Sequence, residues 1–173
     1  MAIQQGQLPK GVLFLSLQEV LSIFFGVFDM IMPNREKLLK FSKIPLSHEM
    51  VLKINPVSKP RMTHADRWKS RAVVMKYWNY RDEIFYGALA QGYRPAYELK
   101  MDFVIAMPKS WTKKHKEKMD KTPHQQTPDI DNLAKGIMDA LFDEDKNVYK
   151  ITASKNWGRT GSVTIKNMKW YLE

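Results

Sequence analysis

The chain has 173 residues, no cysteine, and 28 lysines and arginines against 18 aspartates and glutamates, a formal net charge of +10. That length suits one domain with a hydrophobic core and room for an appendage; the absence of cysteine excludes disulfides, thiolate zinc sites and a cysteine nucleophile, and fits a reducing cytoplasm. Residues 1–49 hold five basic and four acidic side chains, leaving 23 and 14 for the rest, so the surplus sits almost wholly after residue 49. Such a surplus suits a nucleic-acid partner, through counterion release from phosphates.

In chain order, residues 1–49 come first as an extension. Gly11 to Met32 is mostly apolar and reaches membrane-spanning length, but Gln18, Glu19 and Asp29 interrupt it. Only Lys10 precedes the run and Phe28-Asp29-Met30 follows it, which is not the layout of a signal peptide. It reads as a helical extension, a membrane segment, or sequence upstream of a natural start at Met50, with membrane attachment the weakest of the three. Val51 to Ile54 is a short strand closed by Asn55-Pro56, and Pro56 to Lys69 a long polar connection. In Arg71 to Gln91 the apolar residues recur at three and four, with Gly92 as a stop, which predicts a helix. Tyr97 to Met107 alternates as a strand. Lys109 to Lys121 is a basic run containing Trp111 and His115. A helix is expected from about Asn132 to Phe142, then strands near Val148 to Ser154 and Ser162 to Met168. With neither repeats nor an interdomain linker, residues 50–173 read as one domain of the α+β type, a mixed sheet with helices packed on it.

The densest chemistry lies between Asp129 and Asp145, where six acidic groups and Lys135 occur within seventeen residues. Carboxylates crowded onto a cationic protein repel one another unless a cation sits among them, and hard divalent ions take carboxylate oxygen readily. On the predicted helix, Leu133, Ile137, Ala140 and Leu141 share the buried face, while Asp131, Lys135 and Asp139 fall on the other side at spacings of four. By spacing alone there are two readings. Asp131 can be an N-cap, with Asp131, Lys135 and Asp139 forming a solvated ladder of ion pairs. Alternatively Asp129 and Asp131 form a metal site, joined by an acid after the helix that must return through the fold.

The string Pro128-Asp129-Ile130-Asp131-Asn132-Leu133-Ala134-Lys135, continued by Asp139-Ala140-Leu141 and by Glu144-Asp145 ahead of a β-type run, resembles the RusA family of Holliday junction resolvases of bacteria and prophages. The likeness runs from about Met50 and takes in Asn55 to Thr63 and Met107 to Trp111. It implies a metal-binding and catalytic set of Asp129, Asp131 and Asp145, with Lys135 as a further catalytic group. The carboxylates would hold one or two Mg²⁺ ions, with Mn²⁺ as a substitute, to polarise the scissile phosphate and activate water. Lys135 would stabilise transition-state charge or orient that water; its acidic neighbours argue against a general base. The step from Leu141 to Asp145 is tighter than in family members with a longer loop, which leaves Asp143 and Glu144 as alternatives to Asp145. The resemblance also implies a homodimer acting on four-way DNA, with no small-molecule cofactor.

His48, His64, His115 and His124 show no ligand spacing, and His124 is expected at the surface. Trp78, Tyr77, Tyr80 and Phe85 read as helix-face core or dimer packing rather than as base-stacking platforms. For DNA backbone contacts the candidates are Lys109, Lys113 and Lys114 around Trp111, then Lys59, Arg61, Arg67, Lys69 and Arg71 in and after the first loop. Besides a junction-cleaving endonuclease, two other functions fit the residues: a non-catalytic binder of branched or single-stranded nucleic acid, and a small membrane-attached protein organised by Gly11 to Met32.

Overall fold

The computed structural model describes residues 46–67 and 71–168. Gly11 to Met32 and Lys69 therefore lie outside the described residues. Strands β1 (Glu49–Leu52), β2 (Glu98–Ala106), β3 (Lys150–Gly158) and β4 (Ser162–Asn167) form one sheet in the order β1-β4-β2-β3. β4 pairs antiparallel with both β1 and β2, whereas β2 and β3 are parallel over their full length, from Glu98 opposite Lys150 to Ala106 opposite Gly158. A parallel pair needs a crossover, and here it carries helices α2 (Lys113–Met119) and α3 (Ile130–Leu141). Helix α1 (Ala72–Ala90) links β1 to β2. The described residues thus form an α+β domain, as the alternation of patterns predicts.

Alternation along β2 places Leu99, Met101 and Phe103 on one face, fully buried with Met50, Val163 and Ile165 of the neighbouring strands. Against them pack Tyr80, Ile84, Phe85 and Ala88 of α1 and Leu133, Ile137, Ala140 and Leu141 of α3. Both helices therefore lie on the same side of the sheet. Each buried side chain of this size contributes about 1.5–3 kcal/mol of transfer free energy. The opposite face carries Lys100, Asp102, Thr152, Ser154, Thr164 and Lys166, where the Ser154 hydroxyl donates to Asp102 at 2.6 Å.

Several boundaries differ from expectation, each for a local reason. β1 starts at Glu49 rather than Val51, because Met50 is the residue that enters the core while Val51 is exposed. The outward edge of β1 is closed by the end of α1: the Gln91 side chain accepts from Val51 N at 3.2 Å and donates to Val51 O at 3.0 Å, and Ser47 N donates to Gly92 O. Gly92 ends α1 at φ 63°, a left-handed conformation that glycine adopts without strain. The first loop contains a turn of 3₁₀ helix (His64–Arg67), held because Asp66 accepts from Thr63 N, Thr63 Oγ1 and both the Nε and Nη2 of Arg71. The Arg71 hydrogen bonds, with Thr63 N next, hold the Asp66 carboxyl well below the usual carboxylate range. β3 runs on to Gly158, four residues past its expected end, because a second chain segment pairs with its outer edge.

Candidate active site

That segment is residues 121–124, the approach to α3. Lys121 N donates to Trp157 O at 2.9 Å, Trp157 N to Thr122 O at 2.9 Å, and His124 N to Lys155 O at 3.0 Å, so the strap extends the sheet by one short antiparallel pairing. Its side chains are fixed too. His124 is buried, contrary to expectation, because its ring packs on Trp157 at 4.1 Å between centroids. Burial, followed by the nearby charge of Lys155, pushes the His124 imidazole below its ordinary pKa. Trp157 in turn meets Trp111 at 4.9 Å, and this contact seats α2 beside the strap. Thr112 caps α2 by accepting from His115 N at 3.3 Å, so the basic run folds into a helix with Lys113 and Lys114 exposed, just beyond exposed Lys109.

After the strap the chain reaches Asp129 through Gln126, Thr127 and Pro128. Lys155 Nζ donates to the carbonyl oxygens of both Gln126 and Pro128, each at 2.6 Å. Nothing in the sequence marked Lys155, one of two lysines in a strand of mixed polarity; only the pairing of 121–124 with β3 brings it to the loop. Helix α3 begins at Ile130, two residues earlier than expected, so Asp129 and not Asp131 is the N-cap. The Asp129 backbone is extended, and its side chain makes no capping hydrogen bond. Asp131 follows in the first turn and, like Asp129 and Lys135, is exposed.

The ladder of ion pairs does not form. Asp139 instead receives Lys59 Nζ at 2.5 Å and the Tyr77 hydroxyl at 2.6 Å, which ties the first loop and α1 to α3. Burial, with Asp139 as the next cause, raises the Tyr77 hydroxyl above its ordinary pKa. Among the described residues Asp129, Asp131 and Lys135 have neither an ion pair nor a side-chain hydrogen bond. Three charged groups are therefore exposed at the start of one helix and committed to no structural task. Of the loop cations, Lys59 and Arg71 are engaged in pairs, Arg61 is exposed, and Arg67 lies in the 3₁₀ turn.

Asp145 opens a second 3₁₀ turn (Asp145–Asn147) beyond the far end of α3, lining a shallow depression with Met138, Asp139 and Phe142. Asp143 and Glu144 stand beside it, Glu144 paired with Lys146. Twelve helical residues span about 18 Å, so the fold places Asp129 with Asp131 at one end of α3 and Asp145 at the other. Among the described residues no three aspartate, glutamate or histidine side chains are grouped to hold a metal ion.

The domain that carries this acidic helix entry is an endodeoxyribonuclease by family: residues 53–167 match the family model of endodeoxyribonuclease RusA. The chain belongs to the RusA family, whose members cut branched DNA at Holliday junctions and generally need a divalent metal. Among curated proteins no match to the chain was found. No helix among the described residues is long and apolar enough to cross a membrane.

Proposed function

We propose that the chain resolves four-way DNA junctions by paired nicks, as a homodimer that uses Mg²⁺, with Mn²⁺ as a substitute. The observation that carries the reading is the uncommitted state of Asp129, Asp131 and Lys135. Exposed carboxylates that neither cap their helix nor pair with the lysine one turn away are free to take an ion, and their oxygens suit a hard divalent cation. When bound, the ion would supply Lewis-acid polarisation of the scissile phosphodiester. Lys135, one turn beyond Asp131 on the same exposed face, would place a positive charge against the phosphate as negative charge builds there. The exposed lysines of the α2 region, Lys109, Lys113 and Lys114, would hold the DNA backbone on the side where the strap enters the site. Arg61, with Arg67 and Lys69, would serve the same purpose from the first loop, while Lys59 fixes that loop to Asp139.

The separation of Asp145 from the D-x-D pair supports the dimer. A two-fold arrangement can bring the acidic turn of one copy to the start of α3 in the other, completing two identical sites in the process. The deciding experiment incubates the protein with a synthetic four-way junction and with linear duplex, with and without Mg²⁺. Cleavage confined to the junction and dependent on the ion is expected. Junction binding without cleavage at any Mg²⁺ or Mn²⁺ concentration would overturn the proposal.

A further inference from the structure

Among the described residues the Asp129 and Asp131 side chains have no hydrogen bond or ion pair to aim them, so their direction depends on what holds the backbone before them. That backbone is short of freedom. Pro128 has its φ fixed by its ring, and a planar peptide joins the Pro128 carbonyl to the Asp129 nitrogen. Fixing the Pro128 carbonyl oxygen therefore fixes the plane from which Asp129 departs. Lys155 Nζ does this at 2.6 Å, and it holds the Gln126 carbonyl at the same distance. The lysine itself is anchored: β3 pairs with β2 on one side, and Lys155 O accepts from His124 N of the strap on the other. Its ammonium stands at the peptide before Asp129, where two carboxylates of like charge follow within three residues.

We propose that Lys155 is a positioning residue for the acidic pair, setting the approach of Asp129 and Asp131 to the divalent ion by clamping the Gln126 and Pro128 carbonyls. This deepens the nuclease reading and rests on it. Lys155→Met keeps the stem and removes the donors, while Lys155→Arg keeps a cation able to bond both oxygens.

Three readouts test the role. Amide hydrogen exchange on the metal-free protein should quicken at residues 125–131 in Lys155→Met, by about tenfold or more for a charge-assisted clamp, with residues 133–141 unchanged. Mn²⁺ affinity, measured by calorimetry, should fall about ten- to a hundredfold, as for other groups that orient metal ligands. Junction cleavage at saturating substrate should fall while junction binding without metal holds, and Lys155→Arg should recover part of both losses. Unchanged exchange at 125–131, or unchanged Mn²⁺ affinity and cleavage, would overturn the proposal. So would a loosening spread equally through α3, which would make Lys155 a general structural tie. If the wild-type protein cuts no junction, the nuclease reading fails, and the exchange arm still decides whether Lys155 holds the loop.

Discussion

Asp131→Asn preserves the shape of the side chain and its place on the first turn of α3 while removing its charge. Because the carboxylate is exposed and makes no hydrogen bond or ion pair among the described residues, folding should be untouched and thermal melting unchanged. Single-turnover cleavage should fall by more than about a hundredfold, the loss of a few kcal/mol of transition-state stabilisation. Junction binding should hold or tighten, since one negative charge near the phosphates is gone. Normal cleavage by this variant would remove Asp131 from the metal site. Lys135→Ala makes a parallel case: its side chain is exposed, with no partner among the described residues. A rate loss of about tenfold to a thousandfold with an unchanged melt is expected, whereas a lowered melt would show that Lys135 is structural.

At the level of elements, the strap of residues 121–124 makes one consequence measurable in pH. The His124 ring is neutral in its pocket against Trp157, with its folded-state pKa below that of the unfolded chain. On acidification the unfolded chain therefore binds its proton first, so this contribution is fully present above about pH 6.5 and is lost as the pH falls below it. Melting temperature should drop between pH 7 and pH 5.5, and His124→Asn should flatten that part of the slope; an unchanged slope would show that the ring takes up its proton without penalty. The strap also shows where sequence reading stops. The buried stripe of α3 and the inward residues of β2 were legible, because each follows the period of its element. The start of α3, the burial of His124 and the role of Lys155 were not, since all three depend on residues 121–124 lying along β3, a pairing between segments some thirty residues apart. The same holds for Asp139: spacing put it in register with Lys135, but tertiary packing brought Lys59 and Tyr77 within hydrogen-bonding reach.

For the whole molecule, the distance between the two ends of α3 turns the question of oligomeric state into one of chemistry. If each site draws Asp131 from one copy and Asp145 from the other, a mixed dimer of Asp131→Asn and Asp145→Asn chains contains one site with both substitutions and one with neither. Mixing the two inactive proteins should then restore single-strand nicking of a four-way junction, to about a quarter of the wild-type rate for randomly assorted dimers, since about half are mixed and each of these has one intact site of two. If each site belongs to one chain, both sites of the mixed dimer carry a lesion and the mixture stays inactive. Sedimentation should give a dimer at micromolar concentration, and a stable monomer that cuts one strand would leave a nuclease without the resolvase's paired action.

The end of α1 bears on how such a dimer can be built. Gln91 offers β1 a carbonyl and an amide at the spacing of a neighbouring main chain, so a side chain impersonates a strand. A sheet margin treated in this way is no longer a template for another copy to add to, which guards against edge-to-edge growth into larger aggregates. On the opposite margin the strap covers only the Lys155–Trp157 end of β3, so among the described residues the β1 margin is the better protected of the two.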